Sequence, residues 1–222
     1  MAAVKSLNEA LVSMRDFGVR HRTRNAISFG TFEECKCILR RTMLRIDETI
    51  EDFEWLEQYD EVAQWMSNTE GRGLFLRGGC GVGKTNILLS LAIVFNQYKN
   101  LILPVIQARE LVKMPNICTR WAYIIDDVGT EGLLNDYGEK RDMLAEVVHD
   151  AEYKHKLLIL STNLRADDFS KRYDDRTLDR ICGLCKIVKF QRWMKGENEE
   201  KMLKDIPSLR KRSTNDDSHK KY

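Results

Sequence analysis

The residues GGCGVGKT, running Gly78, Gly79, Cys80, Gly81, Val82, Gly83, Lys84 and Thr85, fit the pattern G-x-x-x-x-G-K-[ST]. With glycine at about 7% of residues, chance puts this pattern into a chain this long about one time in a hundred. Glycines at 78, 79, 81 and 83 leave the loop amides unscreened by side chains, so the N–H groups can turn into one concavity and hold an anion. A helix starting at the loop's end adds the positive end of its dipole. Lys84 then brings a mobile cation to the β and γ phosphates, and the Thr85 hydroxyl can ligate magnesium. With Asn86 next in the same turn, these residues make the expected binding segment for ATP, with Mg2+ as its companion ion.

Two further groups of polar residues end apolar runs. In WAYIIDD the run closes on Asp126 and Asp127. Strand ends in α/β sheets are where ligands sit, so Asp126 is expected to support magnesium through water and Asp127 to orient or deprotonate an attacking water. In LLILSTN the run delivers Ser161, Thr162 and Asn163, and the Asn163 amide can bond water or a terminal phosphate.

These side chains need a scaffold that brings several strand ends to one edge. Ser6 with Glu9, and Thr31 with Glu34, are capping-box patterns that open two amino-terminal helices. A third helix is expected over residues 53–66, ending near Asn68. From Gly73 onward short apolar runs alternate with helical segments, the signature of βαβ units and a parallel sheet. The pattern predicts strands over 74–77, 101–106, 121–126, 157–161 and 185–190. It predicts helices over 84–97, 136–153 and 175–181, with a short helical turn near 109–113. After Gln191 the chain is charged and lacks the apolar content to fold, so the expected organisation is an extension over 1–52, a core over 53–191 and a disordered tail over 192–222.

A chain of 222 residues with 43% hydrophobic and 32% charged residues suits one globular α/β domain with modest extensions. No apolar run approaches the roughly 20 residues that span a bilayer, and no secretion signal opens the chain, so a cytoplasmic location without membrane contact is expected. A net charge of +2 argues against a wholesale nucleic-acid coat. Basic groups occur locally, at Arg20, His21, Arg22 and Arg24, at Arg40, Arg41 and Arg45, and at Arg210 to Arg212. Cys35 with Cys37 and Cys182 with Cys185 can in principle supply four zinc ligands. A C-x-C pair is not usual zinc spacing, and reduced thiols are the expected state.

The order GGCGVGKT, IIDDVGTE, LLILSTNL, DDRTLDRI resembles the DnaC and IstB group of AAA+ ATPases, which includes replicative helicase loaders and transposition helpers. The resemblance covers roughly residues 54–190 and is strongest in IIDDVGTE. It implies a P-loop three-layer sandwich with a five-stranded parallel sheet in the order 5-1-4-3-2. It also implies Asn163 as a sensor residue and Arg180 as an arginine finger reaching a neighbour's ATP, with Arg176 one turn earlier on the same face. The function implied is an ATPase that loads or remodels a replicative helicase. A transposase is the alternative client, and a nucleotide-switched adaptor with negligible hydrolysis the alternative mode. ATP-dependent self-assembly is implied as well. Between the second and third strands the group carries a pair of helices that helps grip single-stranded DNA. Residues 108–120 are too few for that pair, so DNA contact is expected to be weak, and residues up to Asp52 match no zinc-binding loader domain.

Overall fold

The computed structural model describes residues 25–47, 53, 55–114, 117–136 and 139–190. The helix expected from Ser6, the basic group around Arg22, and the tail with Arg210 and Arg212 lie outside the described residues.

Helix α1, Phe32–Ile46, starts where its cap predicts: the Glu34 amide donates to the Thr31 hydroxyl at 3.4 Å and the Thr31 amide to the Glu34 carboxylate at 2.7 Å. Cys35, Leu39 and Met43 recur every fourth residue on its buried face. Helix α2, Glu57–Ser67, begins four residues later than the pattern suggests. Phe53 and Trp55 precede it instead as rings packed on Tyr59, one stacked and one edge-on, and the Trp55 indole N–H donates to Asp60 at 2.9 Å.

Strand β1, Gly73–Gly78, leads through the glycine loop into α3, Lys84–Lys99. Strand β2 is only Val105–Gln107 rather than 101–106, because Pro104 has no N–H for a ladder and confines pairing to the residues after it. Two 3-10 turns, Ala108–Lys113 and Ile117–Thr119, cross to β3, Ala122–Asp126. The helix expected over 136–153 is shorter. Leu134–Asp136 (β4) and Glu139–Arg141 (β5) pair as an antiparallel ribbon, and α4, Met143–Tyr153, begins where the Asp142 carboxylate caps the Leu144 and Ala145 amides at 3.0 and 3.2 Å. Strand β6, Leu157–Thr162, is followed by α5, Ala166–Arg172, which has no side-chain cap and so gave no start signal in the sequence. Asp174 caps α6, Asp175–Leu184, and β7, Cys185–Phe190, completes the sheet.

The sheet runs β2-β3-β6-β1-β7 with every pair parallel. Counting sheet strands only, this is 2-3-4-1-5, the expected order read from the other edge. Alternation along each strand sends side chains to both faces. Leu74, Leu76, Ile159 and Val188 pack with Leu39, Trp65, Leu91 and Phe95 under α1 to α3. Phe75, Tyr123, Leu158 and Leu160 pack with Val147, Phe169 and Ile181 under α4 to α6. These three layers bury the strands on both faces, as parallel sheets require, and bring the carboxyl ends of β1, β3 and β6 to one edge.

Candidate functional site

The loop from β1 to α3 is shaped by two left-handed glycines, Gly81 at φ 81° and Gly83 at φ 83°. Gly83 is the N-cap of α3 and makes no side-chain cap bond, which leaves the first amides of the helix available to an anion. Gly78 is glycine for a second reason: a Cβ there would sit 2.6 Å from the Phe190 carbonyl oxygen of β7. Cys80 is exposed, Val82 packs partly on the core, and Asn86 is half-buried in the first turn of α3.

Lys84 is 6% exposed. Its ammonium donates to the Gly78 and Gly79 carbonyls at 2.9 and 2.8 Å and to Asn163 Oδ1 at 2.6 Å. Burial pulls its pKa below the ordinary lysine value, against the opposing pull of Cys80, Asp127 and Asp126. The Thr85 hydroxyl donates to Asp126 Oδ2 at 2.8 Å, and Gln107 Nε2 donates to the same oxygen at 3.2 Å. The other carboxylate oxygen of Asp126 accepts from the Ser161 hydroxyl and from the Asp127 amide at 3.1 Å. Asp126 is 1% exposed, so it is held rigidly at the end of β3.

Asp127 takes a left-handed backbone, φ 58°, that turns the chain out of β3. Its amide is also within hydrogen-bond reach of Ser161 Oγ at 3.0 Å, and its carboxylate accepts from Asn163 Nδ2 at 2.5 Å. Burial and the neighbouring Asp126 charge raise its pKa, opposed by Lys84, Arg109 and the Asn163 bond. Further along the loop, the Val128 amide donates to the Ser161 carbonyl at 2.8 Å and the Thr162 hydroxyl to the Val128 carbonyl at 2.6 Å. The buried Glu131 carboxylate accepts from the Gly129 amide at 2.8 Å and from the Tyr173 hydroxyl, so the Asp127 turn is anchored at both ends.

Lys84, Thr85, Asp126, Asp127 and Asn163 therefore form one connected set across the ends of β3 and β6 and the start of α3. The residues fit a magnesium-bound triphosphate: the Thr85 hydroxyl and Asp126 carboxylate converge as hard oxygen donors beside open helix amides and a buried cation. Among the described residues no three His, Cys, Asp or Glu side chains converge on a metal position by themselves, and Cys35 and Cys185 are buried while Cys37 and Cys182 are exposed.

The two arginines of α6 stand apart from this set. Arg176 is exposed, and Arg180 Nε pairs with Glu152 of α4 at 2.8 Å. Gln107 and Glu131 are the functional neighbours that the sequence did not single out. Gln107 ends a strand at the ligand-bearing edge, which was its available signal; the bonds of Glu131 cross 42 positions to Tyr173 and had none.

No family model matches the sequence, and no curated protein matches it. The structure is similar to that of DnaI, at TM-score 0.51 and 16% identity over 67% of this chain and 93% of that one. The DnaC helicase loader is similar at TM-score 0.47 and 16% identity, over 69% and 90%. AMPPCP-bound DnaA from Aquifex aeolicus is similar at TM-score 0.47 and 18% identity, over 64% and 49%. The likeness to DnaI shows a shared fold, and the five-stranded parallel sheet has the strand order that the motif order implied. Among the described residues no helix is long and apolar enough to cross a membrane.

Proposed function

We propose that this chain binds Mg-ATP on the loop between β1 and α3 and hydrolyses it, as a subunit of a head-to-tail assembly that loads or remodels a replicative helicase on DNA. The observation that carries the reading is the convergence of Lys84, Thr85, Asp126, Asp127 and Asn163 at one edge of a parallel sheet. On nucleotide entry Lys84 exchanges the Gly78 and Gly79 carbonyls for the β and γ phosphates. Thr85 and Asp126 would hold the magnesium ion, which when bound would supply charge neutralisation at the phosphates. Asp127 accepts the proton of the attacking water, and Asn163 orients that water or the terminal phosphate. The helicase as client is supported by the motif order, which resembles the loader group.

The adaptor reading has one observation in its favour: Asp127 is closed onto Asn163 and Arg180 onto Glu152, which suits a subunit with little turnover of its own. Two measurements separate the readings. Turnover that rises with protein concentration, together with co-purification of the replicative helicase of the same genome, supports the loader. Flat, negligible turnover at every concentration supports the adaptor, and co-purification of a transposase instead moves the client. Single-stranded DNA binding, by anisotropy, is expected to be weak and to fall steeply with salt, because only two 3-10 turns separate β2 from β3.

A further inference from the structure

Tyr59 of α2 has its ring in the core, 1% of the residue being exposed, and its hydroxyl reaches the glycine loop: a Cβ built on Gly83, the N-cap of α3, would lie 3.4 Å from the Tyr59 oxygen. The hydroxyl faces the glycine loop.

The sheet order tells which end of a ligand it meets. Strand β1 lies between β6 and β7. Asp126, Asp127 and Asn163 stand on the β3 and β6 side of the loop, and Lys84 leans toward them through Asn163. Tyr59 stands on the opposite side, its ring 6.2 Å from that of Phe190 at the end of β7. A triphosphate lying across the loop with its terminal phosphate at the carboxylates runs its other end, the nucleoside, toward Tyr59. Half-buried Phe53 stacks on the Tyr59 ring at 5.9 Å and 18°, and half-buried Trp55 meets it edge-on at 5.4 Å, while Val82 of the loop packs on the same side of the sheet, against the core that includes Tyr59.

We propose that Tyr59 recognises the nucleoside half of the bound triphosphate, its hydroxyl donating to sugar or base with Phe53 and Trp55 as the aromatic backing. The inference rests on the nucleotide reading above and names the residue that makes the site one for nucleotides rather than for polyphosphate.

The full-length chain is titrated by calorimetry, with magnesium, against ATP and against inorganic tripolyphosphate. Tyr59→Phe is expected to weaken ATP about five- to tenfold, the loss of one hydrogen bond, and to leave tripolyphosphate within about twofold. ATP should also change the tryptophan emission, tripolyphosphate should not, and Trp55→Phe should abolish the change. Unaltered ATP affinity in Tyr59→Phe overturns the inference, as does an equal loss for both ligands, which would make Tyr59 a support of the loop. If the parent binds neither ligand, the phosphate-loop reading itself falls and the inference falls with it.

Discussion

Asn163 donates its side-chain amide to the Asp127 carboxylate at 2.5 Å, tying the end of β6 to the end of β3. The carbonyl of the same amide accepts from Lys84 at 2.6 Å, so a neutral residue separates the cation from the anion. Lys84 has three acceptors in this arrangement, two of them backbone carbonyls of its own loop. Phosphate binding has to displace those bonds, and only a ligand carrying several negative charges offers enough in return.

Lys84→Ala is therefore expected to abolish measurable ATP binding at millimolar nucleotide. The loop amides and helix dipole remain, but a helix terminus alone contributes only about 0.3–2 kcal/mol toward an anion. Calorimetry checks this, and parent-like affinity in the variant would remove the loop from the site.

Asp127→Asn is expected to keep ATP affinity within about threefold and to lose at least about 100-fold in turnover, the span of a general base. The amide keeps the shape but cannot take the proton. Asp126→Asn acts differently. It leaves the Thr85 and Ser161 hydroxyls beside a neutral group, so the magnesium dependence of ATP binding should weaken.

Much of this site is legible in the chain because its parts are local or end strands. The glycine loop announces itself by spacing, and Asp126, Asp127 and Asn163 each terminate an apolar run, so the strand-end rule brings them to one edge. The sheet order followed from the resemblance and not from periodicity. What stayed hidden depends on contacts between distant residues. The β4 and β5 ribbon replaced the front of a predicted helix because Asp142 caps α4 later than the apolar pattern implied. The Tyr173 bond to Glu131 and the Glu152 bond to Arg180 join residues whose sequence neighbours look like ordinary charged helix surface.

Asp150 gives a test of stability away from the nucleotide. Burial pushes its carboxyl up, but bonds from Lys154, Lys156 and the Tyr123 hydroxyl outweigh that and hold its pKa below the ordinary value. A depressed folded-state pKa stabilises the fold above the unfolded value, and that contribution is lost as pH falls through the lowered one. Asp150→Asn strands the Lys156 ammonium, 8% exposed, without its carboxylate and is expected to cost about 3–5 kcal/mol. Chemical denaturation at neutral pH should show the loss, and the gap between parent and variant should narrow only in strong acid. ATP affinity of the folded variant should match the parent. A denaturation midpoint equal to the parent's would show that the network carries no stability.

Arg180 is held by Glu152 at 2.8 Å with its side chain 22% exposed, so a role at a neighbour's ATP requires it to exchange one carboxylate for another anion. A half-buried pair at the surface, still reached by solvent, is worth about 0–1 kcal/mol, small enough for assembly to break. If Arg180 acts in trans, Arg180→Ala binds ATP as the parent does yet hydrolyses poorly, and Glu152→Gln, which frees the guanidinium, turns over at least as fast as the parent. Mixing Arg180→Ala with Asp127→Asn should restore part of the activity, because one pocket then takes its carboxylate from one chain and its arginine from the other. A strut between α4 and α6 behaves otherwise: both Arg180→Ala and Glu152→Gln lower the melting temperature together, and the mixture recovers nothing. Turnover in the parent that is independent of protein concentration, with no recovery on mixing, would leave Arg180 as that strut and remove the head-to-tail assembly.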